Sequence, residues 1–406
     1  MSLEEVELHQ ITNYRKGKIN SDKLNQFNYV STDCMLPDKQ GITEAVSLPE
    51  NGNFNIFYEN DILISNIRPY FKKIWMANKS GGCSNDVLVF PTDNNKVMPR
   101  YLFYILSNDE FFDFMMAGSN GTKMPRGSKD AILKYRFKLP PLDIQQKIIN
   151  LISNYDNLIE NNNTRIKLLE NMAEELYKEW FVRLRFPNCQ NTKIVDGIPD
   201  GWEKKKLDNY LKFFRGKSYS SEDIASDEGL PFVNLKCINR NGGFRRDGLK
   251  VFSGKYQDGN IAYSGDIIMA VTDMTQDRAI VGRVGRIPKM NYEKFIFSMD
   301  TIRIESIEID KIFLYILLRF SNIGLYLKEF ANGANVLHLT PDIIYKVNTL
   351  MPDSEIQLKF TNIIKPILDE IDILQLKKQN LKQTRDLLLP RLISGKLDIK
   401  DLDIKA

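Results

Sequence analysis

Residues able to do covalent or metal chemistry are sparse in this 406-residue chain. His9 and His338 are its only histidines and fall in opposite halves, so a histidine-based triad or metal site has little material. The four cysteines, Cys34, Cys83, Cys189 and Cys237, lie far apart without a CxxC pair, which argues against zinc and against a disulfide framework. Glu203-Lys204-Lys205 follows Pro199-Asp200 too closely for the acidic residue plus Glu-x-Lys arrangement of a magnesium-dependent nuclease. No GxxxxGK[ST] loop or strand-to-GxGxxG turn is present, and the glycines of Val281-Gly282-Arg283-Val284-Gly285-Arg286 read as a turn. The one Pro-Pro pair, Pro140-Pro141, is flanked by leucines, unlike the Asn/Asp-Pro-Pro-aromatic motif expected of an amino-methyltransferase. The chain is expected to be no enzyme and to carry no catalytic or metal site.

What the sequence does offer is loops that alternate basic, aromatic and glycine residues. In the first half these are Arg68, Tyr70, Lys72 and Lys73, then Lys123, Arg126 and Lys129. In the second half they are Arg240, Arg245 and Arg246, then Arg278 and Arg283. Lysines in such loops suit phosphates, and arginines can also grip guanine edges with two hydrogen bonds. With 56 Lys+Arg against 52 Asp+Glu, the bulk charge gives no nucleic-acid signal, so any basic face must be local.

The elements that must position these loops are written twice. Tyr58-Glu59-Asn60-Asp61-Ile62-Leu63-Ile64 returns as Tyr263-Ser264-Gly265-Asp266-Ile267-Ile268-Met269, and Ser84-Asn85-Asp86-Val87 as Ser298-Met299-Asp300-Thr301. Leu102-Phe103-Tyr104-Ile105-Leu106 returns as Phe313-Leu314-Tyr315-Ile316-Leu317. Ile144, Gln145, Lys147 and Asn150 return as Ile356, Gln357, Lys359 and Asn362. Order is kept across every block, which marks a duplicated unit.

Each copy closes on a helical pattern with apolar residues every three or four positions. The first runs through Ile144, Ile148, Leu151, Tyr155, Leu158, Ile166, Leu169, Ala173, Leu176 and Trp180. The second runs through Ile356, Phe360, Ile363, Ile367, Ile371, Leu374, Lys378, Leu381, Arg385, Leu388 and Leu392, with one extra residue near Pro366. The first helix is expected to continue through Asn161-Asn162-Asn163 to about Arg185. The second should kink or restart at Pro366. Seams this narrow would most simply pack on one another. The predicted class is α+β: two globular α/β domains at 1–140 and 187–351, separated by long helices at 141–186 and 352–406 that form an antiparallel intrachain coiled coil with pseudo-two-fold repeat. No stretch is apolar enough to span a membrane, and the acidic start MSLEEVELHQ does not resemble a signal peptide, so the cytoplasm is expected.

Over essentially its whole length the chain resembles the specificity subunit of a type I restriction-modification system. Leu139 to Lys147 and Glu174-Glu175-Leu176-Tyr177-Lys178-Glu179-Trp180-Phe181-Val182 are similar to the family's central conserved region. Gly197-Ile198-Pro199-Asp200-Gly201-Trp202-Glu203 resembles the opening of its second recognition domain, and Leu388 to Leu397 the end of its distal helix. The second Pro-Pro is reduced to Met351-Pro352. The resemblance implies a non-catalytic subunit that binds double-stranded DNA, each recognition domain reading half of a gapped target. It also implies two methyltransferase subunits docked on the helices and, for cleavage, restriction subunits. S-adenosylmethionine, ATP and magnesium would belong to those partners. The alternative is a self-contained DNA restriction or modification enzyme whose site none of these motifs reveals.

Overall fold

A computed structural model of the chain describes residues 4–92, 95–121, 123–224 and 227–399. The chain divides into two compact units, residues 1–160 with 379–406, and residues 161–378. Each unit therefore holds one globular segment together with part of both long helices.

The duplication seen in the sequence is a duplication of hydrogen bonds. In the first unit Tyr58 N donates to the Asp61 carboxylate at 2.8 Å, and in the second Tyr263 N donates to Asp266 at 2.8 Å. Each aspartate closes a turn that launches a fully buried strand, Ile62–Ser65 or Ile267–Ala270. A buried carboxylate needs a partner. Asp61 is held by Arg15, and Asp266 by Lys311 and Arg303. The chain then leaves each strand the same way, with Asn66 N bonded to Asp86 O at 2.8 Å and Val271 N to Asp300 O at 2.9 Å.

Around these strands the first unit builds a three-stranded antiparallel sheet, with Ile62–Ser65 between Ile74–Met76 and Val87–Phe90. The second builds a four-stranded one in the order Leu211–Arg215, Thr301–Ser306, Ile267–Ala270, Val284–Arg286. A further four-stranded sheet stands in each unit. Both globular segments are fastened at their ends by an antiparallel strand pair, Glu4–Glu7 with Arg136–Leu139 and Glu203–Lys206 with Asn348–Met351. The helices Pro99–Leu106 and Lys311–Phe320 cover the sheets with nearly all apolar residues buried.

The long helices run Leu142–Tyr177 and Ser354–Ile393. The first continues through Asn161 to Asn163 as expected, with Asn162 itself buried, and ends in a π-turn at Lys178–Val182. The second does not restart at Pro366. The carbonyl of Asn362, which the proline leaves without its helical N–H partner, lies on an exposed turn where water can serve it.

The buried stripes keep most of the expected seams and depart from them by one residue with Ile152 for Leu151, Ile159 for Leu158 and Ile364 for Ile363. On the first helix Gln145, Ile148, Ile152, Ile159, Asn162, Ile166, Ala173 and Trp180 are buried, whereas Leu158 is 53% exposed. On the second, Gln357, Phe360, Ile364, Ile371, Leu374 and Leu392 are buried, whereas Ile363 is 45% exposed. With Ile364 in place of Ile363 the spacing of three and four continues past Pro366, and no extra residue exists. Leu151, Leu169, Leu176, Leu381 and Leu388 are half-buried along these stripes, and Ile356 is buried.

Near the start of each helix a buried glutamine has a structural task. Gln145 Nε2 donates to Pro140 O at 2.9 Å, and Gln357 Nε2 to Pro352 O at 2.8 Å. The Gln145 carbonyl oxygen also accepts from Met98 N at 2.9 Å, so one amide ties helix start, preceding strand and covering helix together.

Within the first unit, Ile148 and Ile152 share a core with Leu389, Leu392 and Ile393, and Arg385 pairs with Asp156 at 2.9 Å. Within the second, Trp180 meets Phe360 with ring centroids 5.4 Å apart, and Arg165 pairs with Glu370 at 2.8 Å. No helix among the described residues is long and apolar enough to cross a membrane.

Candidate nucleic-acid interface

The basic loops of the first unit, separate in sequence, meet in space. Arg68 N donates to Pro125 O at 2.8 Å, Ile67 bridges Arg126, and Gly127 N donates to Asn66 O at 3.1 Å. The loop after Ile62–Ser65 and the loop 123–127 thus form one surface. Arg68 and Tyr70 are exposed on it, and Arg126 reaches Asp86 at 3.2 Å while its side chain stays 57% exposed. Lys123 is exposed, and Lys129 is exposed above the Tyr14 ring at 6.0 Å. Two lysines brace the loop. Lys72 pairs with Asp109 at 2.9 Å and Lys73 donates to Thr32 O at 2.7 Å. Burial alone would raise the Asp109 pKa. The Lys39 and Lys72 ammonium groups outweigh it and hold that carboxyl below its ordinary value.

The second unit repeats the arrangement with different side chains. Thr272 and Asp273 pair with His338 and Leu337, and Gln276 donates to Ala334 O at 2.8 Å, so the loops 272–280 and 332–338 meet. The turn carrying Arg240 joins them, with Arg240 3.6 Å from Asp277 and still 66% exposed. Arg278 lies near the carbonyls of Lys328 and Glu329 at 3.5 Å, and Arg283 donates to Ala279 O at 3.4 Å. Arg245 is exposed and grips Asp247 with two bonds, at 3.1 and 2.8 Å.

Arg246 is a correction to the sequence reading. Its guanidinium is turned toward the second long helix, donating to Lys289 O at 3.1 Å and Asp372 O at 3.4 Å. Burial pulls its pKa down, the Asp372 charge opposes that, and the neighbouring Arg286 adds to it. Arg286 pairs with Asp372 at 2.6 Å, both side chains being largely buried. Alongside, Arg319 joins Glu170 at 2.7 Å and the Tyr315 hydroxyl at 3.0 Å. Arg319, Arg286, Glu170, Asp372 and Gln375 line a cavity of about 20 Å³, room for one water and no ligand. These arginines fasten the globular segment to the helices and do not face solvent as readers.

Met274 and His338 are exposed on this surface and were not among the residues expected from the sequence. Aligning the two copies residue by residue would have found His338, which takes the place of Arg126. The next pair but one, Ser128 and Thr340, occupies the N-cap in both copies. Among the described residues no group of three His, Cys, Asp or Glu side chains could hold a metal ion.

The family model for the type I restriction modification DNA specificity domain matches residues 2–171 and again residues 199–383. The chain belongs to the type I restriction-modification DNA specificity family. A type I restriction enzyme specificity subunit of Methanocaldococcus jannaschii, MjaIX, is 28% identical over 332 residues, spanning 77% of this chain and 72% of that protein. The MjaVIII specificity subunit of the same organism is 25% identical over 418 residues, spanning 98% of this chain and 94% of that protein. The crystal structure of the type I restriction-modification S subunit from M. genitalium covers 97% of this chain at 15% identity, with a TM-score of 0.57, and so shares the fold. The two matched stretches coincide with the two copies. In this specificity-family chain the loop framework is the repeated part, and the side chains displayed on it are what differ.

Proposed function

We propose that the chain is the non-catalytic DNA reader of a type I restriction-modification complex. Each globular segment, at about 1–140 and 187–351, reads one half of a gapped double-stranded target. The two long helices form an antiparallel intrachain coiled coil that sets the gap and docks two methyltransferase subunits, with restriction subunits joining for cleavage. S-adenosylmethionine, ATP and magnesium act in those partners, and the assembly works in the cytoplasm.

The observation that carries this reading is the matched pair of loop surfaces. Both are stitched together by the same backbone bonds, and they differ in the side chains they present, Arg68, Tyr70 and Arg126 against Arg240, Arg278 and His338. One frame with two displays suits a reader of two different half-sites. The coiled coil is supported by the heptad spacing of both buried stripes. In addition, Arg165 pairs with Glu370 while Trp180 meets Phe360, so residue numbers rise on one helix as they fall on the other. Direct readout is assigned to Arg68, Arg126, Arg240 and Arg278, while Lys123, Lys129, Arg245 and Arg283 suit phosphates.

The test is binding of the purified chain, with its methyltransferase, to duplexes over a salt series. Phosphate contacts give a linear fall of log affinity with log salt, and base contacts give discrimination between sequences. Methyl transfer should require the methyltransferase subunit. Transfer or cleavage by the chain alone would overturn the non-catalytic assignment.

A further inference from the structure

Both loop surfaces present a large apolar side chain to solvent where a loop residue would ordinarily be polar. In the first unit this is Tyr70, 48% exposed, and in the second it is Met274, 74% exposed. A single exposed apolar residue is commonplace. These two stand on loops that leave equivalent strands, Ile62–Ser65 and Ile267–Ala270, and each loop is bridged to the equivalent return loop, by Ile67 with Arg126 and by Thr272 with His338.

Both tips are also rigidly mounted. Arg68 and Lys72 flank Tyr70 in the left-handed region, at φ 49° and 50°, which non-glycine residues rarely occupy. Asp38 N and Lys39 N donate to Phe71 O and Lys72 O at 2.9 and 3.0 Å, and the Phe71 ring braces Tyr70 with centroids 4.7 Å apart. In the second unit the Asp273 carboxylate accepts from Thr275 N at 2.8 Å and Ile280 N at 2.9 Å, tying the loop that follows Met274 back to the residue before it. A tip that is apolar, rigid and flanked by arginines has the properties needed to enter a base stack. The stiffness lowers the ordering cost, the cations hold the phosphates, and the apolar surface leaves water on insertion.

We propose that Tyr70 and Met274 are wedges, each parting one base step of its half-site, so that part of the target is read as deformability. This rests on the DNA-reading assignment above. The test uses the full-length chain without methyltransferase, so that no partner can unstack a base. The probe is a duplex carrying the gapped motif defined by mapping methylated adenines, with each adenine of the motif and its flanks replaced in turn by 2-aminopurine. The fluorescence of that base rises on unstacking.

One signal per half-site is expected with the native chain. Tyr70→Ala should abolish the signal in one half only and weaken binding about five- to a hundredfold, as loss of one stacking contact does. Met274→Ala should abolish the signal in the other half only, and Tyr70→Phe should restore the first. Saturated, sequence-dependent binding with no rise, or a rise that survives both alanine variants, overturns the wedges and leaves the reader intact. Absence of any sequence-dependent binding by the chain, alone and with its methyltransferase, overturns both.

Discussion

Replacing Glu170 by leucine should damage the second unit more than replacing its partner Arg319 by methionine, although both changes delete the same ion pair. The Arg319 side chain is 6% exposed and that of Glu170 is 30% exposed. Burial pushes the Arg319 pKa down, and the Tyr315 hydroxyl and Glu170 carboxylate more than offset it, leaving it raised. Glu170→Leu strands a cation with almost no access to water. Breaking a buried pair in this way costs about 3–5 kcal/mol, and the bond that Arg319 keeps to Tyr315 puts the expectation near ~3 kcal/mol. Arg319→Met instead strands a carboxylate that water can reach, while methionine keeps much of the packing, so ~1–2 kcal/mol is expected. The double variant should return to within ~1 kcal/mol of the native chain, because no charge is left unpaired. Hydrogen exchange of the Lys311–Phe320 amides is the suitable assay, since a chain of two units need not melt in one transition. Equal costs for the two single changes, or a double variant worse than Glu170→Leu, would refute the reasoning.

Other outcomes follow from the same structure. Ile364→Ala removes a fully buried side chain and should cost about 2–5 kcal/mol, whereas Ile363→Ala should stay within about 0.5 kcal/mol, both read from hydrogen exchange of the Ser354–Ile393 amides. Gln145→Ala deprives Met98 N and Pro140 O of their partner at once and should destabilise the first unit by about 1–3 kcal/mol, visible as faster exchange at the start of the helix Leu142–Tyr177. The lowered pKa of Asp109 means that its contribution is present above the ordinary aspartate value and is lost as pH falls through the lower, folded value. Thermal melts from pH 6 to pH 2 should show a decline of less than about 1 kcal/mol in that window, because the carboxylate is exposed, and Asp109→Asn should remove that part of it.

Much of the architecture was legible because duplication is a pattern of order, and order survives divergence at individual positions. The Asp61 and Asp266 turns, the strands they launch and the continuous first helix all followed from local residues. The helix seams were misread at Leu151, Leu158 and Ile363 for a physical reason. Leu151-Ile152, Leu158-Ile159 and Ile363-Ile364 each offer two apolar neighbours at one seam position, and the buried Gln145 and Gln357 read as surface residues in sequence. Choosing the wrong member of each pair then demanded an extra residue at Pro366. Arg246 was misread because its partner, Asp372, lies 126 residues away, so nothing in its surroundings distinguished a fastening from a reader. Met274 was passed over because no basic residue adjoins it in sequence; Arg278 follows four residues later and Arg240 arrives from another turn.

The central claim is that two different readers sit on one helical frame, and the measurement that addresses it most directly is single-molecule mapping of methylated adenines in cells expressing this chain with its methyltransferase. The account predicts one motif of two unlike half-sites separated by a fixed unspecified gap. It further predicts that Arg126→Ala relaxes one half while Arg240→Ala relaxes the other. An ungapped motif, two identical half-sites, or a motif that does not change with these residues would contradict it.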